Sequence, residues 1–409
     1  MKKKISILIY SLASGGAERV VSILLKELNS RYDITLVLMN DTIFYDIPNS
    51  IEIIYLEKSN PNESGIKKLL KLPFLGWKYR QLLRKKGIEL SLSFMIRPNY
   101  INILAKLFGC NAKTVISERS MFTLQFGYKD IQSFINKRLV KLYNFADLIV
   151  ANSNGNREDL NRNFSIKPEI KTIYNALDIS QIEKRKEEDL EIEKKRFTFV
   201  TIGRMDVGKN HLLLIEAVKD VDANLWIIGD GELREDLKLR IEDLGLKDRV
   251  KLLGRQNNPY KFLNRADCFV FGSNHEGFPN VLLEALACSL PVISTDCKSG
   301  PREILAPESD FTKQTSEIEL ADFGVLVPVG DVDKMAQTMR MMVEDESLRK
   351  SLKEKAYIRA KDFKVDRIID QWREVTENDK HHTLRWKWHK TMANKPNTNA
   401  KAVCKTFRR

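Results

Sequence analysis

Short hydrophobic runs, each followed by a longer amphipathic stretch, recur along this chain in two series, and that alternation restricts the fold more than any other feature. A run that is apolar on both faces suits a strand inside a parallel sheet. The amphipathic stretch after it suits the helix that crosses back over that sheet. The first series predicts strands at Ile5–Tyr10, Ile34–Leu38, Leu90–Phe94, Thr114–Ser117 and Leu148–Ala151. The pattern then pauses at Ser180–Arg196, which is nearly all charged and reads as a solvated connector. It restarts with Phe197–Ile202, Leu225–Ile228, Val250–Leu252, Cys268–Phe271, Pro291–Ser294 and Gly324–Val327. Period-3.6 patterning predicts helices at Glu232–Asp243 and Val332–Arg359, and a closing helix over Ala360–Val375 with an aromatic contact at Trp372.

The expectation is an α/β chain of two Rossmann-like, doubly wound domains facing a central cleft. The expected division is an N-terminal domain 1–179, a linker 180–196, a second domain 197–359, a helix 360–378 returning to the first domain, and a basic tail 379–409. A length of 409 residues agrees, because single cores rarely grow past about 250–300 residues. No apolar run reaches the roughly 18 residues of a membrane span, and the N-terminal MKKKISILIY reads as a first buried strand rather than a signal peptide. Cys110, Cys268, Cys288, Cys297 and Cys404 form no CxxC pair, which fits a reducing cytoplasm and neither a zinc site nor a disulfide framework.

The formal charge of +13 is uneven: nine Lys or Arg and no acid lie between Lys380 and the end. A second basic block, Ile66–Gly87, holds eight Lys or Arg, no acid, and interleaved Leu, Phe, Trp and Tyr. Cations mixed with bulky apolar side chains suit an anionic lipid surface, with Trp77 and Tyr79 as interfacial anchors. Nucleic acid is a rival partner for such charge, and a solvated helix with one face in the core is the bland alternative.

In open parallel sheets ligands bind beyond the carboxyl ends of the strands, so the loops there carry the chemistry. Gly15 and Gly16 follow the first strand and open a helix, letting backbone N–H groups approach a phosphate. A plain tight turn is the alternative. The second domain opens with Gly203–His211 (GRMDVGKNH), where Arg204 and Lys209 are placed to neutralise a diphosphate whose charge grows as a C–O bond breaks. Asn210 is a candidate helix cap. Farther on, Asn274–Ala285 (NHEGFPNVLLEA) carries Glu276 before a helical turn and Glu284 within the helix, so carboxylates flank exposed backbone amides. Asp220/Asp222 and Asp331/Asp333 read as loop or helix-end acids rather than a metal site, with Asp331 an N-cap, and His275 reads as a packed loop residue.

With GGAER, GRMDVGKNH, EGFPNVLLE and SGPREIL in that order, residues 1–378 resemble glycosyltransferase family 4, of GT-B architecture and retaining chemistry. The resemblance is nearest to the branch that extends undecaprenyl-diphosphate-linked glycans, through Ser117-Glu118-Arg119, Gly254–Tyr260 and Ser299–Glu303. It implies a UDP-sugar donor, a lipid-linked glycan acceptor, no nucleic acid, no cofactor, no essential metal, and work at the inner face of the cell membrane. Catalytic roles then fall to Arg204, Lys209 and Glu276. Gly15, Gly16, Phe278, Pro279, Asn280, Val281 and Glu284 would bind the donor, with Glu284 on the ribose hydroxyls. Family members often place a histidine in the acceptor loop; this chain has none before His211, and Glu118 and Arg119 occupy the equivalent region. A nucleotide-sugar epimerase of the same shape, and a silent sugar-nucleotide- or lipid-binding scaffold, are the competing classes. The scaffold should have lost one of Arg204, Lys209, Glu276 or Glu284; all four are present.

Overall fold

A computed structural model describes residues 2–60, 63–125, 131–192 and 194–377, with the side chains of Ile131 and Gln132 outside that description. The basic tail therefore lies outside the described residues. Two seven-stranded sheets carry the chain. The first contains β1 (Lys3–Ile9), β2 (Tyr32–Leu38), β3 (Glu52–Tyr55), β4 (Leu90–Phe94), β5 (Lys113–Glu118), β6 (Leu148–Ala151) and β7 (Ile170–Thr172), ordered 3-2-1-4-5-6-7 and wholly parallel. The second contains β8 (Thr198–Ile202), β9 (Asn224–Ile228), β10 (Val250–Gly254), β11 (Cys268–Phe271), β12 (Val292–Thr295), β13 (Glu319–Ala321) and β14 (Gly324–Val327), ordered 10-9-8-11-12-14-13. Both are doubly wound, with the order reversing beside β1 and β8. Ligand crevices in such sheets open at that reversal.

The central strands are buried on both faces, as their apolar runs require. In register, β1 lies between β2 and β4, with Ile5 opposite Ile34 on one side and Leu90 on the other. β4 nevertheless carries Ser91 and Ser93 in full burial, where an unpaired hydroxyl is costly. The helix Ile96–Leu107 supplies the partners: Asn102 Oδ1 accepts from Ser91 Oγ at 2.7 Å, and Asn99 Oδ1 from Ser93 Oγ at 2.8 Å.

Three edge strands, β3, β7 and β13, escape the sequence reading because they are short and half-exposed, with no continuous apolar run. The helix expected over Glu232–Asp243 begins at Arg234. The one expected over Val332–Arg359 is two, Val332–Glu344 and Glu346–Ala360. Asp345 ends the first and caps the second by accepting from Leu348 N at 2.8 Å. Asp331 caps Val332–Glu344 through Lys334 N, as its position suggested. The stretch read as a solvated connector begins instead as a helix, Ile179–Lys186, whose Ile179 and Ile182 sit in the core beneath the second sheet.

The closing helix, Val365–Glu377, returns to the first sheet. Its Ile368, Ile369, Trp372 and Val375 join the core of β1 and β4, with the Trp372 ring 5.7 Å from that of Phe94. Lys3 and Lys113 donate to the carbonyls of Thr376 and Val375, so two cations satisfy its C-terminal end. Truncating Trp372 to Ala removes this contact at a cost of about 3–5 kcal/mol.

In the basic block the helices Gly65–Leu70 and Leu72–Lys86 follow one another, and Gly87, at φ 63°, closes the second in the left-handed conformation. Ile66, Leu70, Phe74 and Trp77 form an exposed apolar stripe at helical spacing, with the Phe74 and Trp77 rings stacked at 6.3 Å. Tyr79 does not belong to it. Its ring is fully buried, and its hydroxyl bonds to Ser6 Oγ at 3.0 Å and Ser91 Oγ at 2.7 Å, so it is a core residue and not an interfacial anchor.

Candidate active site

The strand-end loops of the two sheets face each other. From the first sheet, β1 leads into Gly15, the N-cap of the helix Gly16–Leu28. A Cβ at Gly15 would strike the carboxylate of Glu18, which folds back over this turn. One at Gly16 would come within 3.3 Å of Asn280 Nδ2 on the opposite domain. The glycines thus let the two walls approach closely.

From the second sheet, β8 leads into the Arg204–Lys209 loop. Asn210 adopts φ 45° and ψ 51° and caps the helix His211–Val218 through Leu213 N. Lys209 Nζ pairs with Glu276 Oε1, which also accepts from Ser273 Oγ at 2.7 Å. Arg204 differs: its side chain is 75% exposed, and its nearest acid, Asp206, stands 3.8 Å away. Behind the loop His211 is buried, and burial holds its imidazole down to about 4. His275 is exposed and lies against Gly208, so it is not the packed residue expected.

After β11, residues Gly277–Pro279 turn into the helix Asn280–Ala287. No helix can pair its own first N–H groups internally, so this end favours an anion. Phe278 is buried against Tyr174 at a ring separation of 4.8 Å, and its carbonyl accepts from Asn175 Nδ2 at 3.0 Å. The same amide reaches Asn280 Oδ1 at 2.5 Å. Val281 is half-buried in the first turn. Glu284, one turn on, is buried and paired with Arg19 of the first domain, whose other nitrogen donates to Tyr260 OH at 2.8 Å.

The acceptor candidates part company. Glu118 is buried, its carboxylate accepting from Tyr143 OH at 2.7 Å and Arg119 N at 3.0 Å, and burial pushes its pKa up. It braces the loop from within. Arg119 reaches the domain boundary: its guanidinium pairs with Asn175 Oδ1, and a Cβ on Gly277 would collide with its carbonyl. Burial lowers its pKa to about 10.

The sequence reading also missed how the domains are joined. Glu303 of the second domain accepts from Asn154 N at 2.7 Å, Gly155 N at 3.0 Å and Tyr174 OH at 3.1 Å, thereby capping a helix of the first. Ser299 Oγ bonds Ser153 Oγ and the Gly277 carbonyl, both at 2.6 Å. Arg19, Tyr260 and Glu303 all lie inside the sequence motifs; what single positions lacked was any sign of their distant partners. Among the described residues no cluster of three His, Cys, Asp or Glu is arranged to hold a metal ion, and Cys110, Cys268, Cys288 and Cys297 are free and buried.

Two facing doubly wound domains, with cations and carboxylates on the walls between them, have the architecture of the GT-B glycosyltransferases. The Glycosyltransferase Family 4 model matches residues 14–181, and that for Glycosyl transferases group 1 matches 182–359. The chain is 44% identical over 365 residues, 88% of its length and 96% of the relative's, to the N-acetylgalactosamine-N,N'-diacetylbacillosaminyl-diphospho-undecaprenol 4-alpha-N-acetylgalactosaminyltransferase of Campylobacter jejuni. A second Campylobacter jejuni relative, the alpha-1,4-N-acetyl-D-galactosaminyltransferase acting on GalNAc-alpha-(1->4)-GalNAc-alpha-(1->3)-diNAcBac-PP-undecaprenol, is 26% identical over 387 residues, covering 90% of this chain and 97% of its own. Among solved structures, Anabaena HepE in complex with UDP and glucose superposes with a TM-score of 0.72 at 22% identity, over 92% of this chain and 99% of that one. The chain belongs to glycosyltransferase family 4 and is an enzyme of the hexosyltransferase class.

Proposed function

We propose that this enzyme moves an N-acetylhexosamine from a UDP-sugar to an undecaprenyl-diphosphate-linked glycan, with retention of configuration, in assembly of a glycoprotein glycan or surface polysaccharide. The observation that carries the reading is the meeting of Lys209, Glu276 and Glu284 around the N-terminus of Asn280–Ala287, opposite the Gly15–Gly16 turn. The relative 44% identical acts on a diphospho-undecaprenol acceptor.

In this reading the donor diphosphate lies between Gly15–Gly16 and the amides of Phe278–Val281, with Arg204 and Lys209 on its oxygens. Both cations matter more as the bond to the sugar breaks and charge gathers on the leaving group. Glu276 meets the sugar hydroxyls and Glu284 the ribose. The acceptor hydroxyl attacks from the leaving-group face, and the diphosphate takes its proton, so no protein nucleophile and no metal are needed. Arg119 faces the acceptor, and Glu118 steadies the loop.

The exposed stripe of Ile66, Leu70, Phe74 and Trp77, among the block's cations, supports docking on an anionic bilayer with the cleft in water. In this reading the enzyme works as a peripheral protein on the cytoplasmic face of the membrane; no described helix is long and apolar enough to cross it. Incubating it with UDP-GalNAc, UDP-GlcNAc and UDP-glucose against a short diphosphate-linked glycan tests the proposal. One N-acetylhexosamine should add in α linkage by NMR. Transfer of glucose alone, or release of a free epimerised sugar nucleotide, overturns it.

A further inference from the structure

Side chains of the protein itself fill the positions assigned to the donor. Arg19 and Glu18 are consecutive residues on the first turn of Gly16–Leu28. Arg19 crosses to the second domain and pairs with Glu284, the carboxylate assigned to the ribose, while Tyr260 accepts its second nitrogen. Arg19 is 14% and Glu284 6% exposed at the side chain, so water screens this pair little. Tyr260 is itself held, buried beneath the Arg185 guanidinium at 5.7 Å. Tyr45, from the loop after β2, donates to the Gly15 carbonyl at 3.3 Å. Glu18 meanwhile turns its carboxylate over Gly15, where the diphosphate is expected, and burial pushes its pKa up despite the opposing pull of a backbone hydrogen bond and of Arg204.

A ribose hydroxyl therefore meets at Glu284 a carboxylate whose Oε1 is already held in a buried ion pair, and taking that oxygen displaces Arg19. A hydroxyl is a neutral donor and returns less than a guanidinium does. An exchange is uphill unless the released arginine finds another anion nearby. Arg19 springs from the same turn as Gly15 and Gly16, beside the place assigned to the diphosphate. A nucleoside diphosphate brings that second anion with it, and a nucleoside does not.

We infer that Arg19 is a specificity-determining residue of the donor site, a guanidinium that passes from Glu284 to the diphosphate and so admits nucleoside diphosphates while turning away uncharged nucleosides. This rests on the donor-site reading above, in which Glu284 takes the ribose. The exchange conserves charge: the Arg19–Glu284 pair breaks, an Arg19–diphosphate pair forms, and Glu284 passes to the hydroxyls. It differs from the contribution of Arg204 and Lys209, which favour a diphosphate without obstructing a nucleoside.

Calorimetric titration of the whole protein with UDP and with uridine separates the two. Arg19→Gln frees Glu284 and removes the receiving cation, so uridine should bind about tenfold tighter and UDP about tenfold weaker than to wild type. Tyr260→Phe loosens the latch but keeps the cation, so both ligands should tighten by a few-fold. It also serves if Arg19→Gln folds poorly, as circular dichroism would reveal. Uridine and UDP weakening together in Arg19→Gln would make Arg19 a fixed part of the wall and overturn the exchange, as would unchanged binding of both, or weakening of both in Tyr260→Phe. Glu284→Gln is the separate control: if it leaves UDP binding untouched, the donor-site reading itself fails.

Discussion

Arg204 and Lys209 are assigned one role, on the donor diphosphate, but the structure holds them differently, and alanine substitutions should separate two effects. Arg204 is 75% exposed and has a 3.8 Å ion pair with Asp206, which solvent screens, so Arg204→Ala should leave stability within about 0.5 kcal/mol. Lys209 is 28% exposed and bonded to Glu276, which is 10% exposed. Removing one partner of a fully buried pair costs about 3–5 kcal/mol. Partial exposure of Lys209 reduces this to about 1–2 kcal/mol. For a domain of this size that lowers Tm by about 2–8 °C. On the reaction, each loss removes stabilisation of the departing diphosphate, about 10²–10³ in kcat or about 3–4 kcal/mol. Lys209→Ala also bares Glu276, which repels the incoming anion, so part of its loss should return in Lys209→Ala/Glu276→Gln. Initial rates at saturating donor and acceptor, with scanning fluorimetry on the same samples, give all four quantities. Wild-type kcat in Arg204→Ala would falsify its placement on the leaving group. Full recovery in the double variant would reduce Lys209 to a neutraliser of Glu276.

Three further outcomes follow from the same structure. On the proposed assignment of Arg204 and Lys209 to the diphosphate, chelator should leave most activity intact; complete loss that added divalent metal reverses would contradict the assignment. Neutralising Lys67, Lys68, Lys71, Arg84, Lys85 and Lys86 in a tail-deleted chain should weaken binding to anionic vesicles and activity on a long-chain acceptor while sparing a short soluble one, and Phe74→Ser with Trp77→Ser should remove the part of binding that survives high salt; equal loss on both acceptors would point to misfolding. His211 sits near 4 in the fold against an ordinary 6.5, so its contribution is complete above pH 6.5 and is lost as pH falls towards 4, in all about 3 kcal/mol; denaturant titrations above and below that window should show the loss shrink in His211→Gln, and an unchanged loss would assign acid sensitivity elsewhere.

The central strands were legible because burial on both faces makes most of their residues apolar, and β1, β4, β8 and β11 announce themselves that way even though β1 and β4 also bury serines. Edge strands β3, β7 and β13 need only one partner and one covered face, so their sequences carry no such mark. The motif loops were legible for another reason: glycine, a cation or a carboxylate just past a buried strand is placed by the sheet itself. Side-chain direction was not. Tyr79 lies among lysines and leucines in sequence, yet two serine hydroxyls in the core draw it inward. Glu118 and Arg119 are neighbours with the same motif evidence, and only the packing of Tyr143 beneath one and Asn175 beside the other tells them apart.

The same limit explains why the joining of the domains could not be read in advance. Glu276, Glu284 and Glu303 of the motifs are each half-buried or more, and a buried carboxylate must find a donor somewhere. Glu276 finds Lys209 within its own domain, whereas Glu284 and Glu303 find theirs across the boundary, at Arg19 and at Asn154, Gly155 and Tyr174. Those partners lie 129 to 265 residues away in sequence and have no periodic relation to the acids. The division of labour has a physical consequence. Glu303 is joined to backbone amides and a tyrosine hydroxyl away from the donor's assigned place, so that contact can hold the domains together throughout turnover. Glu284 is joined by a guanidinium at the place assigned to the ribose, so on that assignment the contact yields each time a donor binds. Of the two contacts, Glu303→Gln should disturb the alignment of the domains for every ligand alike, while Arg19→Gln should change which ligands are accepted; parallel titrations of the two variants with UDP and uridine, showing the same ratio of affinities in both, would refute that distinction.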